Sequence, residues 1–145
     1  MKETSVMDLT IDKRSLDLTI KGVTIDQIEN EEQRWITIED PDIVITILGS
    51  YADQQKRLIM ESVVDESHTI SELLQICKIP LVSAYRKVNS LIQEGLIVEN
   101  SFAITNSGRR FKYKAVFENL RIDIDGNKII VKGKLNKNFR KKIIS

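Results

Sequence analysis

The chain has 145 residues, 41% of them hydrophobic and 30% charged, which suits a globular protein and is too apolar for wholesale disorder. Its longest uncharged apolar run, residues 43–52, is too short to cross a bilayer, and no secretory apolar stretch follows the polar opening Met1-Lys2-Glu3-Thr4. One cysteine, Cys77, excludes an internal disulfide and a cysteine-built zinc site, so a cytoplasmic protein without membrane partners is expected.

The net charge of +1 conceals a division. Residues 1–76 carry seven Lys/Arg against sixteen Asp/Glu, a balance of −9, and residues 77–145 carry fifteen against five, a balance of +10. A basic half of this kind suits a nucleic-acid-facing surface.

Residues 1–39 read as a strand-rich or flexible extension. Leu9 and Ile11, then Leu16, Leu18 and Ile20, alternate with polar residues at the period of a strand. Asp-Leu-Thr-Ile occurs at residues 8–11 and again at 17–20, and the intervening Asp12-Lys13-Arg14-Ser15 suits a hairpin turn. Residues 25–33 are acidic, a linker or a frayed helix. Trp35, Ile36 and Ile38 form one short strand, with Trp35 expected to anchor the segment to the core.

Asp40-Pro41 starts a helix, the aspartate as cap and the proline at the first helical position. Ile43, Val44, Ile47 and Leu48 share a face, and Gly49-Ser50 is expected to break the helix. A second helix is expected over residues 52–64 on a stripe of Leu58, Ile59 and Val63. Residues 65–68 are loop and include the lone histidine, His68, which has no carboxylate or cysteine at a ligand spacing.

Thr69-Ile70-Ser71-Glu72 matches a capping box, opening a helix that buries Ile70, Leu73, Leu74 and Cys77. Pro80 disfavours helix at Ile79, so that helix must stop there. The next runs over residues 82–94 with Ala84, Val88, Leu91 and Ile92 inward, and Gly95 as its left-handed stop. Two short helices about a tight turn are the plan of a helix-turn-helix.

From Ile97 the period changes to two. Phe102 and Ile104 alternate before the turn cluster Thr105-Asn106-Ser107-Gly108; Phe111, Tyr113 and Ala115 alternate after it, with Lys112 and Lys114 opposite. Leu120, Ile122 and Ile124 lead to Asp125-Gly126, a hairpin signal, and Ile129, Val131 and Leu135 return. The expected division is an N-terminal extension (1–39), a helical and stranded domain (40–118), a C-terminal β-hairpin (119–136) and a basic tail (137–145).

The segment Ile79-Pro80-Leu81-Val82-Ser83-Ala84-Tyr85-Arg86-Lys87-Val88-Asn89, with Leu91 and Glu94-Gly95-Leu96-Ile97 after it, resembles the archaeal winged-helix regulators of the ArsR-like group. The likeness implies an α+β fold: a winged helix-turn-helix, here with a C-terminal β-hairpin extension and room for an N-terminal one. It also implies that the 82–94 helix enters a major groove and the Gly108-Arg109-Arg110 hairpin is the wing. The chain departs from the metal-sensing members in having only Cys77 on the preceding helix, so no metal or cofactor is expected. It also lacks the long terminal helix that pairs many members; two-fold binding is still expected, with the N-terminal segment and residues 41–48 as candidate subunit contacts.

The positions of the 82–94 helix that the inward stripe does not claim are Ser83, Tyr85, Arg86, Lys87, Asn89 and Ser90. Arg86 can pair bidentately with guanine and Asn89 with adenine, while Ser83 and Tyr85 suit a phosphate or a thymine methyl. On the hairpin, Arg109, Arg110, Lys112 and Lys114 can reach backbone phosphates or a minor groove. Against this stands the plain alternative of a solvated helix face and a charge-protected hairpin. No phosphate loop, dinucleotide turn or nucleophile elbow occurs, so no enzyme is expected.

The expected function is sequence-specific binding of double-stranded DNA by a homodimer, regulating transcription at the transcription machinery. The alternative is a winged-helix protein-interaction module in a multisubunit assembly. A third reading, a ligand- or redox-gated switch, would use Cys77 and Trp35.

Overall fold

The computed structural model describes residues 34–137, together with the backbone of two N-terminal strands. Those strands, β1 (Leu9–Asp12) and β2 (Asp17–Ile20), pair antiparallel with Leu9 opposite Ile20, and Asp12, expected in the turn, is the last residue of β1, opposite Asp17. Between β3 (Trp35–Ile38) and β4 (Ile97–Thr105) lie the helices α1 (Pro41–Ala52), α2 (Gln54–Ser62), α3 (Ile70–Cys77) and α4 (Leu81–Glu94). Strands β5 (Gly108–Ala115), β6 (Phe117–Asp125) and β7 (Lys128–Leu135) complete an α+β chain.

Asp40 caps α1 by accepting from the Asp42 amide at 2.9 Å, with Pro41 at the first helical position. The expected break at Gly49-Ser50 does not occur. A helical glycine costs only about 1 kcal/mol relative to alanine. The buried Ser50 offsets it, because its Oγ donates to Glu94 Oε1 of α4 at 2.5 Å. The helix stops instead at Asp53, which turns extended and caps α2, accepting from the Gln55 and Lys56 amides at 3.0 Å each. The inner face of α2 is Ile59, Met60 and Val63; Leu58, expected on that stripe, is exposed, lying one residue off the buried face.

Thr69 and Glu72 close the capping box of α3 with reciprocal bonds of 3.2 and 3.0 Å. The Thr69 amide holds the Glu72 carboxyl below its usual pKa. α3 ends at Lys78 in a left-handed conformation, Pro80 leads into α4, and Gly95 (φ +79) stops it with its amide on Ile92 and Leu91 carbonyls. Ala84, Val88, Leu91 and Ile92 face inward.

β4 and β5 form an antiparallel hairpin. His68 adds a one-residue bridge to Tyr113, amide to carbonyl in both directions at 3.1 and 2.8 Å. The second sheet has the order β3-β7-β6. Its turn residues are Gly126 and Asn127, one position later than expected, with positive φ (+65) at Gly126 alone, the pattern of a type II′ turn.

β3 is not an appendage. It pairs with β7 so that Ile36 and Ile38 lie opposite Gly133 and Val131, and these join Phe117, Leu135 and the helices in one core. Trp35 faces the other way, beneath the Arg121 guanidinium at 4.6 Å; Ile36 and Ile38 do the anchoring expected of it. Arg34 is buried against the same sheet, its Nε donating to the Leu135 carbonyl and its Nη2 lying 2.6 Å from Glu118. Asn136, the last residue of the expected C-terminal hairpin, is also buried: its side chain donates to the Val64 and Ala115 carbonyls at 2.7 and 3.1 Å. The expected basic tail beyond Lys137 lies outside the described residues.

Candidate nucleic-acid interface

α4 presents a continuous outward stripe. Leu81, Val82, Tyr85, Arg86 and Asn89 are exposed along it, Val82 to 73%. The spacing follows from the inward stripe: if Ala84, Val88 and Leu91 face the core, positions 82, 85, 86 and 89 must face away. Leu81 and Val82 belong to this surface although they carry no charge. Spacing alone marks Val82 as outward; Leu81, three and seven residues before Ala84 and Val88, is in line with the inward stripe yet stays exposed at the start of the helix.

Three other residues of the expected group sit differently. Lys87 leans across to α2, its Nζ 2.5 Å from Asp53 Oδ2. Its ammonium, with the Lys56 and Gln55 amides, pulls the Asp53 carboxyl below its ordinary pKa. Ser90 belongs to a cluster between the helices. Lys56 Nζ donates to Ser90 Oγ at 2.9 Å, to Ser50 Oγ at 3.2 Å and to Glu94 Oε2 at 3.0 Å, while Ser90 Oγ donates to Glu94 at 3.0 Å. These groups fix how α4 sits on α1 and α2. Ser83 is half-buried at the edge of the stripe.

The β4–β5 hairpin has two unlike faces. Arg110 and Lys112 stand opposite Ala103 and Ser101 and make one face basic. Arg109, opposite Ile104, lies on the other, with its guanidinium over Phe102 at 4.9 Å and Phe111 at 5.9 Å. The adjacent arginines therefore point to opposite sides, and Arg109 is partly held by cation–π contact. Gly108 (φ +111) follows the two-residue loop in a conformation that other residues rarely adopt. Arg110 Nη2 donates to Ser107 Oγ at 3.1 Å, steadying the tip.

Lys114 departs furthest from expectation. It is on the same face as Arg110 and Lys112 but at the hairpin base, only 4% exposed, with its Nζ donating to the Asp65 carbonyl at 2.5 Å. Burial lowers its pKa, and the nearby Asp65 and Glu66 only partly oppose that. A group so placed braces the hairpin against the loop after α2. Conversely Phe102, Ile104 and Phe111, which alternation would place inward, are exposed because the hairpin extends past the core.

β1 of the N-terminal hairpin runs close to α4, while Tyr85, Arg86 and Asn89 stay exposed. Cys77 is buried, with Sγ 3.5 Å from Ser62 Oγ. Among the described residues no group of three or more His, Cys, Asp or Glu side chains could hold a metal ion, and no helix is long and apolar enough to cross a membrane. The chain matches no model of a known protein family and no curated protein.

Proposed function

We propose that the protein is a winged-helix DNA-binding regulator, with α4 as the recognition helix and the β4–β5 hairpin as the wing. The observation that carries this reading is the exposed stripe Tyr85, Arg86 and Asn89 on α4, followed directly by a hairpin whose free face carries Arg110 and Lys112. Arginine and asparagine one helical turn apart offer bidentate donors and acceptors to base edges. Leu81 and Val82 supply apolar contact of the kind a thymine methyl accepts. Arg110 and Lys112 then engage phosphates and set the register.

The order of elements agrees with it. Helix, one-residue strand at His68, helix, recognition helix and two-stranded wing follow one another from α2 to β5. The lysines and serines of the α2–α4 cluster hold the recognition helix rigid, which preorganises its outer side chains. Binding as a homodimer to a two-fold site would double a modest single-helix interface. Control of transcription would follow from occupying a promoter.

The deciding experiment is selection of duplexes from a random library, followed by affinity measurement over a salt series. The reading requires an enriched sequence and affinity that falls steeply with salt. Recovery of no enriched sequence, with no retention on duplex DNA at low salt, would reject it and favour a protein-docking module built on the apolar patch of Leu81, Val82 and Tyr85.

A further inference from the structure

Strand β6 lies at one edge of the β3-β7-β6 sheet, and among the described residues no strand pairs with its outer side. Such an edge offers unpaired amides and carbonyls and invites another strand. Its inner pairing is irregular only between Phe117 and Asn119; from Asn119 to Asp125 it runs without interruption, a stretch whose middle residue is Ile122. One face of this stretch carries Leu120, Ile122 and Ile124, paired on β7 with Gly133, Val131 and Ile129. Leu120 packs against the core, but Ile122 is 47% exposed and Ile124 71% exposed. The other face carries Asn119, Arg121, Asp123 and Asp125.

We propose that a second copy of this chain docks here, β6 against β6 antiparallel about a two-fold axis at Ile122, giving one continuous sheet across both copies. The sequence is self-complementary in that register. Ile122 meets its own counterpart, Leu120 meets Ile124, Arg121 meets Asp123 and Asn119 meets Asp125. Apolar residues therefore face apolar ones, and opposite charges face each other twice, pairings that favour adjacent strands. The neighbouring two-fold registers fail. Centring on Arg121 sets that arginine against itself, and centring on Asp123 sets two aspartates together, which is repulsive. Two-fold pairing of one patch with itself is the commonest way for identical chains to associate. The exposed isoleucines would come together on one face and extend the core across the axis.

The inference is independent of the DNA reading, because the test contains no DNA. Sedimentation equilibrium of the full chain should show a dimer. Asp123→Arg sets arginine against Arg121 and should raise the dimer dissociation constant about tenfold or more, leaving the Arg121–Trp35 stack and the circular dichroism unchanged. Arg121→Asp sets aspartate against Asp123 and should raise the dissociation constant similarly, although it also removes the guanidinium from Trp35. Combining R121D with D123R restores opposite charges across the axis and should restore the dimer. Ile45→Lys, on the exposed face of α1, should leave it intact. A monomeric parent, single variants that still dimerise, a double variant that stays monomeric, or a dimer dissolved by I45K would each overturn the proposal.

Discussion

Lys87 Nζ lies 2.5 Å from Asp53 Oδ2, so the N-cap of α2 is tied to the middle of α4. One carboxylate thus satisfies two helix-end amides and holds the helix that bears the candidate base-reading residues. Asp53→Ala should destabilise by about 1 kcal/mol through loss of the cap. The folded state holds this carboxyl below its ordinary value of 3.8, and the Glu72 carboxyl below its own ordinary value of 4.5. Ionisation therefore favours folding, and this stability is present above the unfolded pKa and lost as pH falls through the folded one. Urea denaturation should show the parent losing stability on acidification below about pH 4, with a smaller loss for Asp53→Asn.

The two parts of the interface should fail differently. Arg86→Ala should cost about 1–3 kcal/mol on the preferred duplex and relax the preference at one position. Arg110→Ala with Lys112→Ala should weaken binding evenly and reduce the salt slope by about 2. Arg109→Ala should change the slope less than Arg110→Ala, because its guanidinium lies over Phe102 and Phe111. Fluorescence anisotropy across salt concentrations distinguishes these outcomes.

Lys114 serves as the control charge. It is buried on the Asp65 carbonyl, so Lys114→Met should leave DNA affinity and salt slope at parental values. Lys114→Ala should lower thermal stability by leaving a void at the base of the hairpin. A Lys114→Met variant with a flattened salt slope would return this residue to the interface.

Gly133 sits between β3 and β6 with the Phe117 ring over it. A Cβ built there would come within 2.5 Å of Phe117 Cε1 and 2.7 Å of its Cδ1. Phe117 is itself buried, so the ring cannot swing aside freely. Gly133→Ala should cost about 1–3 kcal/mol by overpacking, read as a lowered denaturation midpoint. Gly49→Ala, with open space around the added methyl, should be neutral or stabilising.

Residues 1–33 carry four Lys/Arg against eight Asp/Glu, and their strand β1 runs close to α4. Removing them should raise affinity for nonspecific duplex, most at low salt, because an acidic segment near the interface repels phosphate. Equal affinity of the truncated and parent chains at low salt would show that this segment exerts no field on the candidate interface.

Much of this molecule is legible in one dimension. The capping box at Thr69, the stop at Gly95, the inward stripe of α4 and the hairpin pairing of β4–β5 each depend on residues a few positions apart. Local propensity and periodicity therefore reveal them. The outer stripe of α4 follows from the same periodicity, so Tyr85, Arg86 and Asn89 were identifiable as surface residues before any fold was known.

Other features depended on partners distant along the chain. Nothing near Trp35 shows that β3 completes a sheet with β7, nothing near Lys114 shows that its ammonium reaches Asp65, and nothing near Ser90 shows that Lys56 occupies it. Whether Phe102 and Ile104 are inside or outside depends on where the core ends, which alternation does not encode. Periodicity determined which side chains share a face; only the assembled helices and sheets decided whether that face met solvent, a neighbouring charge or the interior, because burial is a property of the whole packed chain.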